Sequence, residues 1–163
     1  MCDDAEVARP LRDHFPHPYT RADADAWIGM VTAATADGSP ACHLAIVDAA
    51  DRVVGGIGVQ TFTDNKSHVV ELGYYLGRAH WGRGLASAAV ALMVAHVFAH
   101  FPRVERIEAQ PNAANAASRR VLEKNGFSLE GTLRKAFRKH NVMHDVAIYG
   151  LLRSDPQPAA PAT

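Results

Sequence analysis

Cysteine is scarce in this chain, with Cys2 and Cys42 its two examples among 163 residues. They lie in different contexts without metal-ligand spacing, which argues against a disulfide framework and fits a reducing compartment. Excess charge of one sign is also lacking: Lys+Arg 17 balance Asp+Glu 17, a formal net charge of zero. The whole-molecule field therefore draws in neither nucleic acid nor an anionic membrane, and neither is expected as a partner. No apolar run approaches the ~20 residues that span a bilayer, and no charged start leads into an apolar signal core, so the expected location is cytoplasmic. The nine histidines form no His-Glu-x-x-His pattern. They are expected at scattered surface and pocket positions, with no metal site.

What is present suits one domain with a real core: the chain is 48% hydrophobic and 21% charged. Residues 1–155 are assigned to it, and the Pro/Ala-rich stretch 156–163 to a disordered tail. Pro10, Pro16 and Pro18 argue against regular structure through the first nineteen residues. Thr20 can cap a helix in which Ala26, Trp27, Met30, Val31 and Ala34 recur at helical spacing, ending before Gly38 and Pro40. Three β-rich runs follow at 42–47, 53–62 and 69–76, joined by short polar turns, and predict an antiparallel meander. Gly55, Gly56 and Gly58 inside the middle run suggest a bulge or the close approach of another backbone or a ligand. Residues 85–101 are almost wholly apolar and predict a buried helix, with a short strand at 106–109 parallel to the one before it. Asn115 can cap a further helix through 124 or 125 that Gly126 stops, and strands are predicted at 127–133 and 143–152.

Between the third strand and the apolar helix lie Gly82 and Gly84. A glycine loop feeding a helix N-terminus presents free N–H groups and the positive end of the macrodipole, which suits a phosphate or pyrophosphate. No Lys-Ser/Thr pair follows Gly84 and no third glycine stands in dinucleotide spacing, which sets aside the two commoner nucleotide loops. An ordinary strand-to-helix connection is the alternative.

The meander, the W-G-R-G-L-A-S loop at 81–87, the run N-x-x-N-x-x-S-R-R-V-L-E-K-N-G-F at 112–127 and the closing D-V-A-I-Y-G-L-L-R at 145–153 occur in this order. Together they resemble the GNAT superfamily of acyl-CoA N-acetyltransferases. The last two runs most resemble its RimJ/RimL type, which acetylates N-terminal amines of ribosomal proteins. The likeness covers residues 15–153. It implies an α/β (α+β) fold whose mixed, mostly antiparallel sheet is splayed at the coenzyme site and flanked by helices, with acetyl-CoA as co-substrate. It also implies that backbone around Trp81, Gly82, Arg83, Gly84, Leu85, Ala86 and Ser87 holds the pyrophosphate. The strand through Tyr75 and Leu76 would receive the pantetheine arm, with an N–H beside one of them polarising the thioester carbonyl. Asn112, Asn115, Ser118 and Lys124 match positions lining the thioester end or the coenzyme; helix capping and a solvated charge are their structural alternatives.

The resemblance places the general base at Glu71, acting directly or through water, against the alternative of a salt-bridged strand residue. Three departures bear on mechanism: Ala79 replaces the loop's usual Arg or Gln, Ala88 a frequent Glu, and Leu122 the tyrosine that serves many members as general acid. Ser118 or a water is then the expected donor to the thiolate. Acceptor selection is expected in the loop 12–19, at Lys139 and Asn141 and along the final strand, with His14, His17, Tyr19, His140 and His144 as a polar rim. The implied acceptor is a protein N-terminal Ser, Thr or Ala amine; a small amine, or no catalysis beyond acyl-CoA binding, are the alternatives. Only about fourteen residues precede Phe15, too few for the family's usual strand and helix at ordinary lengths. The first strand is therefore expected to be absent, with the DDAEVA stretch at 3–8 as a remnant of the helix, leaving 42–47 at a sheet edge of a monomer or homodimer.

Overall fold

The computed structural model describes residues 2–11 and 15–158, so Arg12, His14 and most of the proposed tail lie outside the described residues. Its centre is a six-stranded sheet in the order β1-β2-β3-β4-β6-β5. The strands are β1 (His43–Val47), β2 (Val53–Thr61), β3 (Val69–Leu76), β4 (Arg106–Ala109), β5 (Ser128–Lys139) and β6 (Val142–Leu152). All neighbours are antiparallel except β3 and β4, which α3 (Leu85–His100) joins. Among the described residues β1 pairs with β2 alone.

Along β3 the even-numbered Val70, Leu72 and Leu76 join the core beneath α3, whose Val90, Met93, Val94 and Val97 are buried against it. Strand alternation sends Glu71 and Tyr75 to the opposite face. The α3 helix ends in a clasp. Arg153 donates from Nε to the Val104 carbonyl at 2.8 Å, and from its two terminal nitrogens to those of Phe98 and Phe101 at 2.9 Å each. Its guanidinium also lies 4.7 Å from the centre of the Phe98 ring.

The outer elements meet the sequence-based expectation in part. A short helix, α1 (Ala5–Ala8), stands in the DDAEVA stretch expected to hold the helix remnant, with Asp4 capping the N–H of Glu6 at 2.9 Å. The helix α2 (Arg21–Ala33) has the expected Thr20 cap, closed reciprocally by Asp23. Its apolar positions are not seated in the core, since Trp27 and Met30 are 42% and 54% exposed. At the β2 glycines the expected close approach of another backbone is present, with the Tyr75 carbonyl at Gly55 and the Cys42 carbonyl at Gly58, and neighbouring side chains add to the crowding. A Cβ at Gly58 would run into the His43 ring, and Cβ atoms at Gly55 and Gly56 would meet the Tyr75 carbonyl and ring. The register shift opposite Ile46 and Val47 leaves Val54 as the extra residue on β2, beside Gly55. The strand expected at 127–133 continues to Lys139, through a register shift between Leu133 and Phe137 where Lys135 has φ +51°. It turns into β6 at His140 and Asn141, with φ +48° and +60°, the left-handed pair of a two-residue hairpin.

Candidate active site

The parallel strands β3 and β4 remain in register only from Val69–Arg106 to Glu71–Glu108. Beyond Glu71, β3 continues to Leu76 while β4 ends at Ala109, so the sheet opens into a wedge. The Arg78–His80 turn and the glycine loop follow β3 directly. Gly82 and Gly84 take φ +72° and +79°, which a glycine adopts at low cost, and an added Cβ at either would meet nothing within 4 Å. The loop backbone thus faces open space. Gly84 is the N-cap of α3 and provides no side-chain hydrogen bond, so the first-turn N–H groups at Leu85, Ala86 and Ser87 have no side-chain cap. Trp81 braces this loop, its indole N–H donating to the Leu76 carbonyl at 2.8 Å, while Arg83 is exposed. Nδ1 of His80, just before the loop, is a buried polar atom without a hydrogen-bond partner among the described residues. An open backbone cradle, an uncapped helix start and this orphaned nitrogen fit a bound pyrophosphate.

Across the wedge lies α4 (Ala116–Lys124), capped by the Asn115 side chain, which accepts from the Ser118 N–H at 3.1 Å. Asn112 Oδ1 accepts from the Ala114 N–H at 2.9 Å and shapes the turn into this helix. The first of these contacts is the capping role foreseen for Asn115. Lys124 is exposed in the last turn, and Leu122 is fully buried in the core. Three hydrogen bonds hold the helix down, two through Tyr149 and one through Ser87. Tyr149 donates to Glu123 Oε1 at 2.6 Å, Arg119 Nε donates to the Tyr149 oxygen at 3.0 Å, and Asn125 Nδ2 donates to Ser87 Oγ at 3.1 Å. The last of these ties the end of α4 to the first turn of α3.

Ser118 Oγ lies 2.9 Å from the Tyr74 hydroxyl, which also lies 3.2 Å from the Ser118 carbonyl. Tyr74 belongs to the part of β3 beyond its pairing with β4, so this contact bridges the wedge on the α4 side. Burial pushes its phenol up to about 12, with the Ser118 hydrogen bond pulling the other way. Sequence reading did not single out Tyr74; its even-numbered place on β3, facing the helices, was the available signal for this contact. Glu71 projects from the other face, so the two assigned catalytic residues stand on opposite sides of the sheet.

On the Glu71 face, Tyr75 is wrapped by the N-terminal segment. Its hydroxyl accepts from Cys2 Sγ at 3.6 Å and the Phe15 ring meets it edge-on at 5.1 Å; burial raises its phenol. The foreseen rim is brought together in part. His17 and His140 share a cavity of about 350 Å³ with α1 residues, while Tyr19 stacks on Phe15 at 5.2 Å and His144 tilts against Phe137 at 5.7 Å. Lys139 lines the same cavity and is buried, with its Nζ also anchoring the N-terminal segment by donating to the carbonyls of Ala8 and Leu11. A second cavity of about 150 Å³ lies nearer the wedge, lined in part by Asn112, Gln110 and Phe137. His96 and His100 have a helical spacing that can hold a metal, but each has a ring nitrogen directed to a backbone carbonyl, of Ala41 and His96, at 2.9 Å. Among the described residues no three His, Cys, Asp or Glu side chains form a metal-ligand group.

This geometry has counterparts among known proteins. The chain is 34% identical over 116 residues to the probable N-acetyltransferase YjcK of Bacillus subtilis, covering 71% of this chain and 64% of that protein. It is 32% identical over 139 residues to an N-acetyltransferase, p20, of Bacillus licheniformis, covering 85% and 77%. With the ribosomal-protein-serine acetyltransferase of Escherichia coli it shares 32% identity over 57% of this chain and 52% of that one. Among solved structures, a GNAT-family acetyltransferase of Bacillus anthracis superposes with a TM-score of 0.77 at 22% identity, over 93% of this chain and 84% of that one. Mycobacterium smegmatis RimJ in complex with CoA-disulfide superposes with a TM-score of 0.68 at 24% identity, over 81% and 62%. Residues 1–128 match the acetyltransferase (GNAT) domain, and with these relatives the match establishes that the chain belongs to the GNAT acetyltransferase family.

Proposed function

We propose that the protein is an acetyl-CoA-dependent N-acetyltransferase whose acceptor is a protein N-terminal Ser, Thr or Ala amine. The observation carrying the reading is the wedge between β3 and β4, which runs into an open glycine loop and an uncapped helix start. Acetyl-CoA supplies the activated acetyl thioester. The loop backbone from Trp81 to Ser87 binds its pyrophosphate, and the unpaired part of β3 near Tyr75 and Leu76 binds its extended arm. Glu71 takes the proton of the incoming amine, directly or through water, and the site brings amine and thioester together; effective molarities for such pairs reach on the order of 10⁵ M or more. Ser118, on the far side of the opening, faces the departing sulfur. Support for the acceptor class comes from the likeness to a ribosomal-protein-serine acetyltransferase. The two free cysteines suit a reducing cytoplasm.

The test is thiol release from acetyl-CoA against panels of N-terminal peptides and small amines. Turnover with Ser-, Thr- or Ala-starting peptides is the expected result. Turnover with small amines alone would replace the acceptor class, and coenzyme binding without turnover above background would overturn the enzymatic reading.

A further inference from the structure

The position from which many relatives are expected to present a tyrosine acid is here Leu122, fully buried and without a proton to give. A tyrosine nevertheless reaches the same helix from the opposite strand. Tyr74 meets Ser118 Oγ at 2.9 Å and the Ser118 carbonyl at 3.2 Å. This gives the two hydroxyls two complete arrangements. In one, Tyr74 donates to the carbonyl and Ser118 donates to Tyr74. In the other, Tyr74 donates to Ser118 Oγ, and the serine proton is released toward the wedge. Hydrogen bonds in such a chain polarise one another, so a serine that accepts from a phenol is a better donor.

Resting on the acetyl-transfer reading above, we propose that Tyr74 is a positioning residue that acts through Ser118, turning the serine hydroxyl into a hydrogen-bond donor to the departing thiolate. The amine nitrogen bonds to the acetyl carbon, the carbon–sulfur bond breaks with its electron pair left on sulfur, and the amine proton goes to Glu71. The thiolate is later protonated from solvent. Neither hydroxyl loses its proton: a phenol held at about 12 is a weaker acid than an ordinary thiol at about 8.5, so full transfer would run uphill. A purely structural tether between β3 and α4 would need only the carbonyl contact.

The experiment compares the parent with Tyr74→Phe, Ser118→Ala and the double variant. Bound coenzyme A is titrated and its thiol followed by the ultraviolet band of the thiolate. A hydrogen bond to the charged sulfur lowers the thiol's apparent pKa, so Tyr74→Phe and Ser118→Ala should each raise it by about one unit, and the double variant should raise it no further. With an active acceptor, Tyr74→Phe should lower kcat roughly 10-fold with an unchanged KM for acetyl-CoA. Identical thiol titrations in parent and variants, or additive effects in the double variant, would overturn the inference. Should Tyr74→Phe fail to fold, an unshifted thiol in Ser118→Ala overturns it alone. Failure of the parent to bind coenzyme A is a separate outcome, which removes the acetyl-transfer reading and this inference with it.

Discussion

Tyr74 and Glu71 sit three apart on one strand, so alternation sends them to opposite faces and gives them different chemistry. A phenol raised from 10.0 to about 12 by burial favours the neutral form in the folded chain. The stability this contributes is complete below the unfolded value and is lost as pH rises from about 10 through 12; two units correspond to about 2 to 3 kcal/mol. Denaturant melts of the parent and Tyr74→Phe should therefore converge as pH climbs through that window, and parallel curves would contradict the assignment. Glu71→Gln is expected to lower kcat by roughly 10²-fold or more with little change in acetyl-CoA affinity, as removal of a general base does; an unchanged pH-rate profile would move the base elsewhere. The strand around both residues was legible from its β-rich run and its boundaries. The Tyr74–Ser118 contact was not, because it joins residues 44 apart and depends on where α4 settles, which no local pattern encodes.

At the scale of elements, the glycine loop and α3 were readable because positive φ and an unbroken apolar run leave direct marks in sequence. Gly82→Val and Gly84→Val should weaken coenzyme A binding at least 10-fold by calorimetry while the fold persists, since each forces a left-handed position and puts side-chain bulk into open space before the loop. Retained affinity in both folded variants would dismiss the cradle. The far end of α3 makes a separate prediction. Arg153 ends the last recognisable run and supplies three carbonyl contacts, so Arg153→Met should cost about 2 to 4 kcal/mol in urea melts and Arg153→Lys should recover only part. The β5–β6 hairpin was under-read because its register shift at 133–137 breaks the two-residue period on which strand reading depends. The α2 helix was legible in its cap and helical spacing, but whether such a helix is buried depends on neighbours the pattern does not contain.

Across the whole molecule, the N-terminal segment is fastened to the β5–β6 turn by Lys139, distant from it in sequence by 131 and 128 residues at its two carbonyl contacts. Lys139→Met should release that segment locally, seen as faster limited proteolysis between residues 5 and 19 with little change in the melting of the sheet; a global loss of stability would make the segment part of the core instead. The wedge has a different consequence. A strand edge left open ordinarily recruits further strands without limit. Here the two edges converge on residues still paired at 69–71 and 106–108, so anything entering is stopped at the apex and flanked on both sides. The amides along the wedge should exchange with solvent quickly when the protein stands alone and slowly once a ligand is seated, while the outer edge at β1 keeps the same exchange rate in both states.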